Sequence, residues 1–200
     1  MRIIAGTLRS RALQAPPGPS TRPTSDRLRE SLFNVLAPRI AGSAFLDLYA
    51  GSGAVGLEAI SRGAAHVTFI EQAPAALKVL RANLARLHLT QGVRIHDTSV
   101  RSFLRKRVPD QIFDLIFLDP PWDAVAEYAA TLALLGASSA SLLASGSSVI
   151  AEHRRKQHLD DRYGNLERTR LLEQGDAALS FYAPNQSTTP HRTRDDFFTP

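Results

Sequence analysis

The chain has 200 residues, 44% of them apolar and 22% charged, which is the balance of a soluble globular protein of one domain with a sizeable core. It contains no cysteine, which excludes disulfides, thiolate-metal sites and cysteine nucleophiles, and no apolar run approaches the length of a membrane span. The net charge of +5 is uneven: residues 1–40 hold seven arginines against Asp26 and Glu30, whereas the remaining 160 residues balance 17 basic side chains against 17 acidic ones.

In chain order, RIIA (2–5) and RALQA (11–15) are predicted to pair as a short hairpin around Gly6. PPGPSTRPT (16–24) is a proline-rich connector. Thr24 or Ser25 then caps a helix running to about Ala37, where Pro38 ends it. From Ala44 the rhythm becomes strand, glycine turn, helix: AFLDLY (44–49), the turn and helix AGSGAVGLEAISRG with Gly63 as C-cap, then HVTFIE (66–71). A helix from Pro74 sets Leu77, Leu80, Leu84 and Leu87 on one side, followed by strands at VRIHD (93–97) and FDLIFLD (113–119). Residues 124–144 read as a helix and SSVIAEH (147–153) as a fifth strand. LERTRLL (166–172) and AALSFYA (177–183) read as a terminal hairpin, and beyond Pro184 the composition predicts a disordered tail. Such alternation builds an α/β fold: a Rossmann-like, seven-stranded, mostly parallel sheet with helices on both faces, a terminal antiparallel hairpin and a small N-terminal hairpin-and-helix extension. The expected organisation is a basic extension (1–40), a core domain (41–183) and a tail (184–200).

Two segments carry chemistry. After the first strand comes DLYAGSGAVG, in which Gly51, Gly53 and Gly56 satisfy GxGxxG, and Glu71 ends the next strand 20 residues beyond Gly51. Glycines let the main chain approach a ligand, and a strand-end carboxylate can accept both hydroxyls of an adenosine ribose, so this much fits NAD as well as S-adenosylmethionine. Asp47, inside the end of the strand, favours a ligand with a cationic amino end, which NAD lacks. The second segment is LDPPW, closing the fourth strand on the sheet edge where ligands of open α/β sheets bind, so that the two segments are expected to share one crevice. Proline holds the residue before it extended, which leaves the Asp119 and Pro120 carbonyls without an obvious ladder partner. The six histidines (66, 88, 96, 153, 158, 191) have no ligand spacing, and no metal is expected.

Together, DxxAGSGxxG, an acid-ended second strand and a [DN]PP[FYW] motif after the fourth resemble the class I amino-group methyltransferases. More narrowly, RIIAG, RPTSDRLRESLFN (22–34), FLDLYAGSGAVGLEAISRGA and FLDPPW resemble the RsmD family over about residues 2–183. That family methylates the N2 amine of a guanine in bacterial small-subunit (16S) ribosomal RNA. The resemblance implies S-adenosyl-L-methionine as cofactor, ribosomal RNA or the small subunit as partner, and a catalytic set Asp119, Pro120, Pro121 and Trp122. The Asp119 carboxylate and the Pro120 carbonyl would accept the two N–H bonds of the amine, and Trp122, where the family more often has Phe or Tyr, would stack on the base. Cofactor contacts are implied for Asp47, Tyr49, Ala50, Gly51, Ser52, Gly53, Gly56, Glu71 on the ribose, Gln72, and Ser99 with Val100 beside the adenine; the family often has Asp or Asn where this chain has Ser99. Arg22, Thr24 and Arg27 match the family segment RPTxDRxRE.

The arginine-only N-terminal charge favours phosphate contacts, whose geometry the guanidinium fork matches, and makes Arg2, Arg9, Arg11, Arg22, Thr24 and Arg27 the candidate RNA-binding set. With no unbroken apolar leader the expected location is cytoplasmic, without membrane association, and a monomer is favoured. The rival readings are another amino methyltransferase acting on DNA adenine or protein glutamine, a non-catalytic RNA-binding protein with this fold, and, third, a nicotinamide dehydrogenase. No inserted target-recognition domain favours sequence-specific DNA, and no hydride-transfer constellation appears.

Overall fold

The computed structural model describes residues 1–15, 26–106, 111–137 and 142–185. It is a mixed α/β fold with a mostly parallel set of strands and terminal antiparallel ones, and it divides into two compact units, Met1–Val100 and Arg101–Pro200. The N-terminal unit contains α1 (Asp26–Ile40), β1 (Ala44–Leu48), α2 (Ala54–Ser61), β2 (His66–Glu71), α3 (Pro74–Arg86) and β3 (Val93–Asp97). Its strands lie in the order β3-β2-β1 and all pair in parallel. Every residue of β1 is buried, the pattern of a strand covered on both faces. α2 is apolar on nearly all sides and buries seven of its eight residues, so its one acid, Glu58, needs partners.

Two of those partners are side chains, Arg62, whose Nε–H donates to it at 2.8 Å, and Arg29 at 3.9 Å, and the others come from the N-terminal arm. Glu58 accepts the main-chain N–H groups of Ile4 (2.7 Å) and Ala5 (3.0 Å), while Ser61 takes Leu8 N–H on its hydroxyl (2.9 Å) and Thr7 N–H on its carbonyl (2.8 Å). The expected hairpin is present in short form: segments 2–5 and 11–15 meet in one antiparallel bridge, Arg2 with Ala12, with Ile3 N–H donating to the Arg11 carbonyl (3.0 Å) and Leu13 N–H to the Met1 carbonyl (3.0 Å). The arm hugs α2 so closely that a side chain at Gly6, where φ is +84°, would collide with the Ser61 carbonyl. α1 also departs from expectation: it passes through Pro38 and ends at Ile40. The proline forfeits only the bond to the Asn34 carbonyl, which sits on an exposed residue, and buried Leu36 and Ile40 hold the last turn. The predicted cap at Thr24 or Ser25 lies outside the described residues.

The C-terminal unit contains β4 (Phe113–Leu118), α5 (Val125–Gly136), β5 (Leu143–Arg154), β6 (Arg162–Tyr163), β7 (Leu166–Gln174) and β8 (Ala177–Pro184), preceded by a short helix, α4 (Val100–Arg105). The strand order is β4-β5-β8-β7-β6; β4 and β5 are parallel and the other pairs antiparallel. All seven expected strands are present, and the two-residue β6 adds an eighth. The helix expected over 124–144 stops at Gly136, whose carbonyl accepts Asn165 N–H (2.7 Å) and where a side chain would collide with the Tyr163 carbonyl. β5 starts earlier than predicted because its register against β4 shifts between Phe113 and Leu115, an irregularity held by Ser147, whose hydroxyl accepts Ala144 N–H (2.8 Å) and donates to the Phe113 carbonyl (2.7 Å). The tail beyond Asn185 lies outside the described residues.

Candidate functional site

In the N-terminal unit the glycine turn is built by carboxylates that accept main-chain N–H groups. Glu71, at the end of β2, takes Gly51 N–H on one oxygen (2.8 Å) and both Gln72 and Ala73 N–H on the other (2.8 Å each), tying the turn to the start of α3. Asp47, fully buried in β1, accepts Gly56 N–H in the first turn of α2 (2.9 Å). Burial pushes its carboxyl up to about 8; the Gly56 N–H opposes this and the nearby Glu71 charge adds to it.

The three glycines divide their work. A Cβ on Gly56 would collide with the Phe69 ring, and one on Gly53 with Leu80, so these two permit helix-strand packing. A Cβ on Gly51, with φ +57°, would meet only the Tyr49 carbonyl at 4.0 Å, which leaves this position open to an incoming ligand. Tyr49 itself has φ +61°, an uncommon conformation for a non-glycine residue. Ala50 and Ser52 are buried within the turn, Gln72 is exposed at the start of α3, and Ser99 and Val100 lie just after β3 at the head of α4.

Asn83 is a residue that sequence reasoning passed over. It is fully buried on α3; its side-chain oxygen accepts Gln14 N–H (2.8 Å) and its amide donates to the carbonyls of Gln14 (3.1 Å) and Ser52 (2.9 Å). The N-terminal arm and the glycine turn are thus joined through one side chain. A polar residue beside Leu80, Leu84 and Leu87 in an apolar stripe was the available signal.

In the C-terminal unit, β4 ends at Leu118 and the chain turns through half-buried Asp119, buried Pro120, exposed Pro121 and half-buried Trp122. The Pro120 carbonyl, expected to lack a partner, accepts the hydroxyl of fully buried Tyr128 on α5 at 3.2 Å. A carbonyl has two lone pairs, so one acceptor direction remains. The Pro121 carbonyl accepts Ala124 N–H (2.8 Å), closing the turn. The Arg154 guanidinium, at the end of β5, lies over the Trp122 ring, 5.2 Å from its centroid.

The basic extension is less uniformly available than its composition suggests. Arg29 is fully buried, donating to the Arg2 carbonyl (2.7 Å) and to Asp26 (2.9 Å), and is therefore structural. Arg2 pairs with Asp26 at 3.6 Å. Arg9, Arg11 and Arg27 are exposed, while Arg22 and Thr24 lie outside the described residues. Among the described residues no group of His, Asp and Glu side chains could hold a metal ion, and no helix is long and apolar enough to cross a membrane.

A parallel α/β core with a glycine turn after its first strand and an acid closing its second defines a Rossmann-like protein; a structure described as "SMU.776, a putative methyltransferase complexed with SAH" shares this fold at 15% identity and a TM-score of 0.63, over 78% of this chain and 49% of that one. The chain belongs to the RsmD family: the family model described as "Conserved hypothetical protein 95" matches residues 1–183. It is similar to the Bacillus subtilis protein named "Putative rRNA methyltransferase YlbH", 35% identical across 91% of this chain and 98% of that one. Against ribosomal RNA small subunit methyltransferase D of Escherichia coli K12 the identity is 47%, over 61% of this chain and 60% of the relative. An E. coli structure described as "Putative methyltransferase yhhF" superposes with a TM-score of 0.80 at 35% identity, covering 93% of this chain and 99% of the other.

Proposed function

We propose that the chain transfers a methyl group from S-adenosylmethionine to the exocyclic N2 amine of a guanine in small-subunit ribosomal RNA. The observation that carries the reading is the Asp119–Trp122 turn, with its carbonyl held by Tyr128 and its ring braced by Arg154, in an RsmD-family chain that keeps an acid-keyed glycine turn.

The residues fit the cofactor. Gly51 offers an open main-chain approach, and buried Asp47, its carboxyl raised to about 8, gains a great deal from a cationic amino group. Glu71 has three main-chain donors on its two oxygens, and a carboxylate accepts about four hydrogen bonds, which leaves it able to take a ribose hydroxyl. When bound, S-adenosylmethionine supplies a methyl group on a sulfonium, an electrophile that needs only an aimed nucleophile.

The chain's own residues do the aiming. The lone pair of a guanine N2 amine is delocalised into the ring; acceptors on its two N–H bonds localise that pair and pyramidalise the nitrogen. Asp119 and the remaining lone pair of the Pro120 carbonyl are those acceptors, and the Tyr128 hydroxyl fixes the direction of that lone pair by occupying the other. Arg154 covers one face of Trp122 and the base stacks on the opposite one. Asp119 also stabilises the positive charge that develops on nitrogen during transfer. The test is to incubate the protein with labelled S-adenosylmethionine and small ribosomal subunits and map the product. N2-methylguanine is the expected outcome, and label on adenine or on protein would overturn it.

A further inference from the structure

The even charge balance of residues 41–200 conceals a local cluster. Arg154, Arg155 and Lys156 are consecutive and exposed, and no acid occurs between residues 153 and 159. Among the described residues none of the three forms an ion pair, in contrast to Arg162 and Arg168, which pair with Glu167 and Asp161. The turn is held by its main chain, with Arg155 N–H donating to the Asp176 carbonyl (2.8 Å) and Gln157 N–H to the Arg154 carbonyl (2.9 Å), so its cations are presented from a fixed base.

Strand register sets where that base lies. β4 and β5 are parallel and Leu118 pairs with Ala151, so Arg154, three residues on, and Trp122, four residues on, leave the sheet at the same edge. The cation-π contact at 5.2 Å is the direct result. Arg155 and Lys156 line a shallow cavity with Arg168 and with Glu173 of β7, the one acid in its lining.

Resting on the function proposed above, we infer that Arg154–Arg155–Lys156 is an RNA-backbone surface of the C-terminal unit, in addition to the N-terminal arginines, that grips the phosphates flanking the base stacked on Trp122. A nucleotide whose base rests on an aromatic face carries a phosphate on either side; Arg154, over that ring, and the exposed Arg155 and Lys156 that follow it in the chain meet them. Arg154 serves both ends of the contact: its guanidinium braces the ring while its charge faces the backbone.

The test compares salt dependence. Affinity for a small-subunit ribosomal RNA fragment is titrated against salt for the wild type and for the double variant Arg155→Gln with Lys156→Gln, with S-adenosylhomocysteine calorimetry and thermal unfolding as controls. Two lost phosphate contacts reduce the log-log slope by about 1.4 to 1.8. Cofactor affinity and melting temperature stay at wild-type values. Arg154→Ala lowers kcat/KM as well as the slope, and Arg154→Lys, which keeps a cation over the ring, recovers part of both. In the wild type, photocrosslinked RNA maps to residues 154–156. An unchanged slope in the folded double variant, absence of crosslinks there, or a wild type that binds no RNA overturns the inference. If the wild type shows the slope and the crosslinks but transfers no methyl group to RNA, the functional reading falls and the surface stands.

Discussion

The glycine turn of the N-terminal unit and the Asp-Pro-Pro-Trp turn of the C-terminal unit both lead from a strand into a helix, yet they are held by different bonds. In the first, Asp47 and Glu71 accept four main-chain N–H groups, so the carboxylates proposed to meet the cofactor are also the ones that shape the turn. In the second, the turn is braced by the Tyr128 hydroxyl on a carbonyl and the Arg154 guanidinium on a ring. Stability and ligand binding are therefore coupled in the first turn and separable in the second.

The largest expected effect tests that separability. Asp119→Ala lowers kcat by roughly 100- to 1,000-fold, the scale of losing a preorganised polar group at a developing charge, while S-adenosylhomocysteine affinity stays within about twofold. Steady-state kinetics beside calorimetry checks both, and a parallel loss of cofactor affinity breaks the comparison. In the first turn the same kind of deletion strikes both properties. Glu71→Ala leaves the N–H groups of Gly51, Gln72 and Ala73 without their acceptor, which costs roughly 1–3 kcal/mol of unfolding free energy and also weakens cofactor binding, as read by denaturant titration and calorimetry.

Asp47 sharpens the coupling through pH. Its carboxyl is raised from 3.8 to about 8 in the fold, so between those values the folded state holds a proton that the unfolded chain has released. Stability contributed by this group is full below pH 4 and is lost as pH rises toward 8, by at most about 1.4 kcal/mol per pH unit. The difference in stability between the wild type and Asp47→Asn, which keeps an acceptor for Gly56 N–H without the charge, should therefore drift in favour of the variant across that window. Cofactor binding to the wild type in the same window releases a proton, detectable as a buffer-dependent calorimetric heat. The smallest effect belongs to the second turn: Tyr128→Phe removes one hydrogen bond from the Pro120 carbonyl, costs about 1 kcal/mol or less, and slows turnover a few-fold without altering cofactor affinity.

The residues of this chain determined by themselves whatever depends on near neighbours. The alternation of buried strands and glycine turns, the end of α2 near Gly63, which lies one residue beyond the C-cap Arg62, the β7–β8 hairpin and the order Asp47, glycine turn, Glu71, Asp119 are patterns of period and spacing, and all were legible before any contact was known. Arm, braces and register belong to the tertiary structure, because their partners are distant in sequence. Glu58 meets Ile4 from 54 residues away, Asn83 meets Gln14 from 69, and Ser147 meets Phe113 from 34. A buried polar group must find a partner, and composition announces the need without naming the partner. Hence it is the tertiary structure that clasps the short N-terminal hairpin to α2, sets Arg29 in the interior, and brings Arg154 over Trp122 by pairing β4 and β5 in parallel.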